Sequence, residues 1–392
     1  MQPLIPILIL ALVYLGGVEA KAEAFEVLEP AGDKYMYPFI DDSPTQYKRD
    51  YGSTFGAYGS IDDPTFNFDD RDAQFFLDFD TSSVVAPGQG AANYQISQLV
   101  VTVVVQNDDA FSYDPTPDAL STYTGGSADS DPGRPIELYG VGYRSGWSLG
   151  TFNEDSPFQT EPSSSALAPQ GDWNRKRNAF AMDFESNGQA RDVSNNVELN
   201  FEPSPWAVAD SPGFLELDGT YVEDPLSPGS VVPEGRVLRM TINLADPRIR
   251  EYLQAGLNAG RIHLMVSSLM GTSRGSADIP RFYTKDSELH DPSSGSFLAA
   301  QLYGEVSVTS VGTPPIPKVS VSRLIPSGFR VSFETQFGYR YVVESRDSLA
   351  SGSWTAKSTT FTGNGGTQSF DDTEANPPAR RFYRVAVTTN TP

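Results

Sequence analysis

Aspartates recur at close spacing in two stretches of the chain. Asp62, Asp63, Asp69, Asp70 and Asp72 place five carboxylates within eleven residues, and Asp129 with Asp131 adds a pair in Ser127-Ala128-Asp129-Ser130-Asp131-Pro132-Gly133. Calcium takes about six to eight hard oxygens from flexible carboxylates, carbonyls and waters, so such loops suit a structural calcium ion. The competing reading is that these aspartates cap turns and solvate loops. No Asp-x-Asp-x-Asp-Gly loop decides between the two.

A second constellation is aromatic. Tyr143, Trp147, Trp173 and Trp206 fall in a loop-rich stretch, beside Arg144 and the basic run Arg175-Lys176-Arg177. A pyranose face stacks on an exposed ring while neighbouring polar groups fix its hydroxyls, so these residues are candidates for binding a polysaccharide or surface glycan. The basic run would suit an acidic one. The alternative is that the rings are small cores of the loops themselves.

Catalytic patterns are weaker. Gly271-Thr272-Ser273-Arg274-Gly275 matches Gly-x-Ser-x-Gly, but that elbow must lead into a helix, and Pro280 follows without helical periodicity. Only His263 and His290 are available as a base. The absence of cysteine excludes thiol nucleophiles, zinc–thiolate sites and iron–sulfur clusters. Glycoside hydrolysis needs only two facing carboxylates, and fifty acidic residues make sequence spacing uninformative about that. The expectation is a non-enzymatic protein, with a polysaccharide-degrading enzyme held behind it.

The elements that would position these residues are strands. Phe75, Leu77 and Phe79 alternate with polar neighbours, apart from Phe76. Leu99 to Val105 is a continuous β-branched run, as for a strand buried on both faces. Leu238, Met240, Ile242 and Leu244 alternate cleanly, and Ile262 to Leu269 makes a further strand. Between these two lies one helix, with Asp246 as N-cap, Pro247 at its first turn, Ile249, Tyr252, Leu253 and Leu257 on its apolar side, and Gly260 at its end. The stretch 107–235, rich in Asp, Pro, Ser and Gly, reads as long loops inserted between strands. Residues 311–318 form a Pro-rich linker, and 319–392 show the regular strand–turn spacing of a small β-sandwich.

At 392 residues the chain is long enough for more than one core. A net charge of −22 repels nucleic acid, which excludes that partner, and attracts divalent cations. Leu4 to Leu15 is an apolar run of secretory length, followed by Val18-Glu19-Ala20 before Lys21, although no Lys or Arg precedes it. Residues 1–20 are thus expected to be a signal peptide, and no later segment is apolar enough to span a membrane.

Two resemblances add to this. Tyr341-Val342-Val343-Glu344-Ser345, Gly352-Ser353-Trp354, Phe370-Asp371-Asp372-Thr373 and Arg381-Phe382-Tyr383-Arg384-Val385 resemble a fibronectin type III-like C-terminal module of secreted bacterial proteins. That likeness implies a spacer or adhesion module. Asp70-Arg71-Asp72-Ala73-Gln74-Phe75-Phe76-Leu77-Asp78-Phe79-Asp80-Thr81, Tyr94 to Val103, Tyr252-Leu253 and Phe282-Tyr283-Thr284-Lys285-Asp286 resemble the DNRLRE-type jelly-roll group, itself similar to carbohydrate-binding modules. In this chain the 107–235 insertion separates the two halves of that pattern.

The expected protein is all-β. A large jelly-roll β-sandwich over 25–310, with long loop insertions and one short helix, precedes a small fibronectin type III-like sandwich. The expected function is extracytoplasmic binding of a polysaccharide or cell-surface glycan. The alternative is a structural or adhesive surface protein that assembles with itself or with envelope proteins.

Overall fold

The computed structural model describes residues 22–37, 48–56, 70–124, 132–158, 177–216, 220–271, 279–309, 317–324, 328–335, 339–347, 353–363, 366–374 and 381–389. The expected signal segment and most of the expected linker lie outside them.

The larger sandwich contains β1 (Glu23–Val27), β2 (Gly32–Met36), β3 (Tyr51–Ser53), β4 (Gln74–Asp80) and β5 (Tyr94–Val104). There follow β6 (Glu137–Tyr143), β7 (Ala179–Phe184), β8 (Ala190–Asp192), β9 (Ala207–Val208) and β10 (Asp210–Leu215). It is completed by β11 (Tyr221–Glu223), β12 (Arg236–Thr241), β13 (Arg261–Ser267), β14 (Arg281–Tyr283) and β15 (Gln301–Val308). One sheet has six strands in the order β1-β15-β5-β12-β10-β11, and the other has seven, β2-β4-β13-β6-β7-β8 with β9 on β6. Pairing between these strands is antiparallel, and each strand presents alternate residues to opposite faces. Phe75, Leu77, Phe79, Leu264 and Val266 from one sheet meet Leu99, Val101, Val103, Leu238, Met240 and Leu302 from the other in a common core.

The seven-stranded sheet is covered on its second face too. Phe76, Tyr139, Val141, Ala181 and Met265 pack there with Met36, Phe152 and Phe158. That covering layer explains why Phe76 breaks the two-residue alternation: both faces of β4 are dry. The six-stranded sheet is different. Several of its outward residues, among them Gln98, Thr102, Arg239 and Thr241, are exposed or half-buried, whereas the end around Val104 and Val237 is covered by Tyr283 and Leu298.

The insertion 107–235 is more than loops. It supplies β6 to β11, and thus strands to both sheets. Glycines hid this, because Gly140 and Gly142 interrupt the alternation of Glu137-Leu138-Tyr139-Gly140-Val141-Gly142-Tyr143. Gly140 is required by close packing: a Cβ there would stand 2.2 Å from the Trp206 ring.

The helix Pro247–Ala259 forms as its caps dictate. Asp246 accepts a hydrogen bond from the Arg248 amide at 2.8 Å, Pro247 begins the first turn, and Gly260 ends the helix at φ 78°. Ile249, Leu253 and Leu257 enter the main core.

The C-terminal region carries β16 (Val319–Arg323), β17 (Phe329–Glu334), β18 (Tyr339–Arg346), β19 (Thr355–Ala356), β20 (Phe361–Thr362), β21 (Thr367–Asp372) and β22 (Phe382–Thr389). They form one sheet β16-β17-β21 and another in which β18 pairs β19, β20 and β22. The core is thin: Val331, Phe333, Tyr339, Tyr341 and Val343 are buried, with Phe361, Phe370, Tyr383 and Val385 packed against them.

Candidate ligand-binding site

The expected aromatic platform divides. Trp206 is only 1% exposed, stacked on Phe184 at 6.0 Å and met edge-on by Tyr252 at 4.9 Å. It is a core residue with no free face for a sugar, which corrects the expectation for it. Its amide bonds the Leu138 carbonyl, so the short strand β9 that follows is zipped to β6 with the indole beneath.

Tyr143 and Trp147 do lie together, but in the layer that covers the second face of the seven-stranded sheet, while Arg144 lies against Phe180 of the main core. Trp147 meets Phe152 edge-on at 5.7 Å, and Tyr143 tilts against the same ring. Arg144 lies 4.1 Å above the Phe180 ring centroid and bonds Asp192 at 2.7 Å. The Tyr143 hydroxyl is 2.5 Å from Nδ1 of His263, whose Nε2 is 3.1 Å from Asp78. Burial lowers the pKa of His263, outweighing Asp78, and keeps the imidazole neutral. Trp173 and Arg175 lie outside the described residues. Arg177, the last of the basic run, is fully buried and donates to the carbonyls of Arg71 and Asp72, so it serves the fold.

The acidic candidates also separate. Asp70 is buried, and its Oδ2 accepts the amides of Val197 and Glu198 at 2.9 and 2.8 Å. It caps a turn, as the competing reading of the aspartates required. Asp72 is fully buried. Asp62, Asp63, Asp69, Asp129 and Asp131 lie outside the described residues, and the calcium expectation now rests on them.

A different carboxylate group comes together where no local motif announced it. Ligand oxygens of Asp33, Glu154 and Asp286 lie within 4.8 Å of one another. Asp33 accepts the Lys285 amide at 2.8 Å, and its own amide donates to Glu154. The Lys285 ammonium stands 3.1 Å from Glu154 and 3.2 Å from Asp286, so a cation from the chain already fills the group. Desolvation pushes the Asp33 carboxyl well above the usual range, and repulsion from Glu154 and Asp286 adds to it. Asp33 is 1% exposed, which closes it to a ligand the size of a sugar.

An accessible concavity lies where Tyr283 and Leu298 cover one end of the six-stranded sheet. Phe214 and Leu215 of β10, Glu216, Glu234, Gly235, Tyr283 and Leu298 line a groove of about 580 Å³. The floor is apolar because Leu215 packs with Val104, Val237, Tyr283 and Leu298. The rim is acidic. Tyr283 donates to Glu234 at 2.5 Å, burial pushes its phenol up, and the bond to Glu234 adds to that shift. Arg236 lies over Phe214 at 5.5 Å, but its charge is taken by Asp224 at 2.6 Å. Neither Glu216 nor Glu234 is ion-paired among the described residues.

A second hollow, about 500 Å³, opens on the same face where Glu26 of β1, Gln98 of β5, and Tyr303 and Glu305 of β15 meet. Register puts Glu26 opposite Tyr303, and Tyr303 opposite Val100.

No family model matches the chain, and neither a curated protein nor a solved structure does. The site is therefore read from its own geometry.

Proposed function

We propose that this is an exported, non-enzymatic binding protein that holds an extracellular polysaccharide or cell-surface glycan, the C-terminal sandwich serving as spacer or dock. The observation that carries this reading is the groove lined by Phe214, Glu216, Glu234 and Tyr283, at the end of the six-stranded sheet that Tyr283 and Leu298 cover. An apolar floor with an aromatic edge accepts a sugar ring, and carboxylates at the rim accept its hydroxyl protons. Structural calcium belongs to the same reading, at the acidic loops named above.

The test is a glycan array probed with the mature chain, with and without calcium. A ligand should be found, and Phe214→Ala should weaken it about tenfold, roughly 1.4 kcal/mol, without lowering the melting temperature. Silence across the array in both conditions sinks the reading.

One observation favours self-assembly as a second reading. Strand β16 is exposed along its length, with Val319 at 42% and Val321 at 49% exposure, although both lie opposite core residues of β17. An open edge of this kind templates pairing with another chain. Sedimentation velocity across a concentration series should then show association that Val321→Lys abolishes.

A further inference from the structure

The open sheet face has a charge that narrows the ligand class. Glu216 and Glu234 stand at the first groove, and Glu26 and Glu305 at the second hollow. None of the four is ion-paired among the described residues, whereas the arginines nearest the first groove are paired: Arg236 with Asp224, and Arg239 with Asp210 at 2.7 Å. Among the described residues, these hollows therefore offer anionic acceptors and no uncommitted arginine, on a chain of net charge −22. A uronic or sulfated saccharide placed there meets carboxylates, and like charges brought together at an interface are strongly disfavoured.

The two hollows also repeat one chemistry. Each sets a half-buried or buried tyrosine beside glutamate: Tyr283 with Glu234 in the first, and Tyr303 near Glu26 in the second, where burial raises the phenol and Glu26 adds to it. Strand spacing and rise separate them by roughly 15–20 Å. A repeating polymer with a positive group on its units matches both at once; a single sugar fills only one.

Resting on the glycan reading, we infer that the ligand is an amino-bearing polysaccharide, a hexosamine polymer with free ammonium groups, bound across both hollows. Each ammonium would sit against a glutamate while its ring packs on the apolar floor.

Calorimetric titration compares four ligands with the whole mature chain: a hexosamine oligomer with free amines, its fully N-acetylated counterpart, a uronic acid oligomer of equal length, and polylysine. The free-amine oligomer should bind at least about tenfold tighter than the N-acetylated one at low salt, and the gap should shrink as salt screens it. Glu216→Gln with Glu234→Gln should weaken the free-amine oligomer far more than the N-acetylated one and so close most of that gap, while glutamine at 234 still accepts from Tyr283. Glu26→Gln should weaken long oligomers and spare short ones that fill a single hollow.

Equal or tighter binding of the N-acetylated or uronic oligomer overturns the inference and leaves the glycan reading standing. Binding of none of the saccharides removes the glycan reading itself. Polylysine binding as tightly as the free-amine oligomer, in competition with it, also overturns the inference, because the face would then answer to charge alone and fit a basic protein.

Discussion

Asp33 is a carboxyl that the fold holds against its own ionisation. It sits on β2, fully enclosed, with Glu154 and Asp286 close by and the Lys285 amide on one oxygen. Desolvation dominates its shift, so its folded pKa lies above the unfolded value. The sign follows from linkage: the folded state holds the proton longer, and the stability this confers is present at acid pH and lost as pH rises through the folded pKa. Asp33→Asn keeps an acceptor for the Lys285 amide and removes the charge. It should raise the melting temperature by a few degrees at pH 7 to 8, with the advantage vanishing toward pH 4. A variant less stable than the parent across that range would mean that the ionised pair with Lys285 outweighs desolvation. No local pattern marks this group, because Asp33 and Glu154 lie 121 positions apart and Lys285 lies 252 from Asp33. Only the pairing of β2 with β4 and the placement of two distant loops bring them together.

At the scale of elements, periodicity and capping chemistry were enough for the strands that alternate and for the helix. Asp246, Pro247 and Gly260 act as their types require, and Asp246→Ala should cost about 1 kcal/mol in chemical denaturation. What stayed illegible were elements made by packing and not by pattern. Strand β6 carries two glycines because two core rings need the room, Trp206 at Gly140 and Phe180 at Gly142, and β9 is two residues long. Trp206 looked like a loop aromatic for the same reason: its partners Phe184 and Tyr252 come from another strand and the helix. Gly140→Ala drives a methyl into that indole and should destabilise by about 1–3 kcal/mol. Trp206→Leu alone opens a cavity, also at a cost of a few kcal/mol. Combined, the two should cost clearly less than their sum, because the smaller side chain relieves the clash. Strict additivity in urea titrations would mean that the contact does not limit β6.

For the molecule as a whole, the dominant quantity is the net charge of −22. Self-repulsion of that size destabilises the compact state, and any salt relieves part of it. A melt in calcium alone therefore says little, since screening and site binding both raise stability. Magnesium at equal concentration screens equally but demands tight octahedral geometry, so it fills flexible carboxylate loops poorly. A calcium site in the acidic stretches predicts that, against chelator, the chain melts higher in calcium than in magnesium, with an excess that grows with the logarithm of calcium concentration above saturation. Asp62→Asn with Asp63→Asn should remove the excess and leave the magnesium response unchanged. Asp70→Asn should lower both curves alike, because Asp70 serves the amides of Val197 and Glu198. Superimposed calcium and magnesium curves would assign the acidic loops to solvation and turn capping. The charge of the chain would then act through the open sheet face and through solubility, with no ion in the fold.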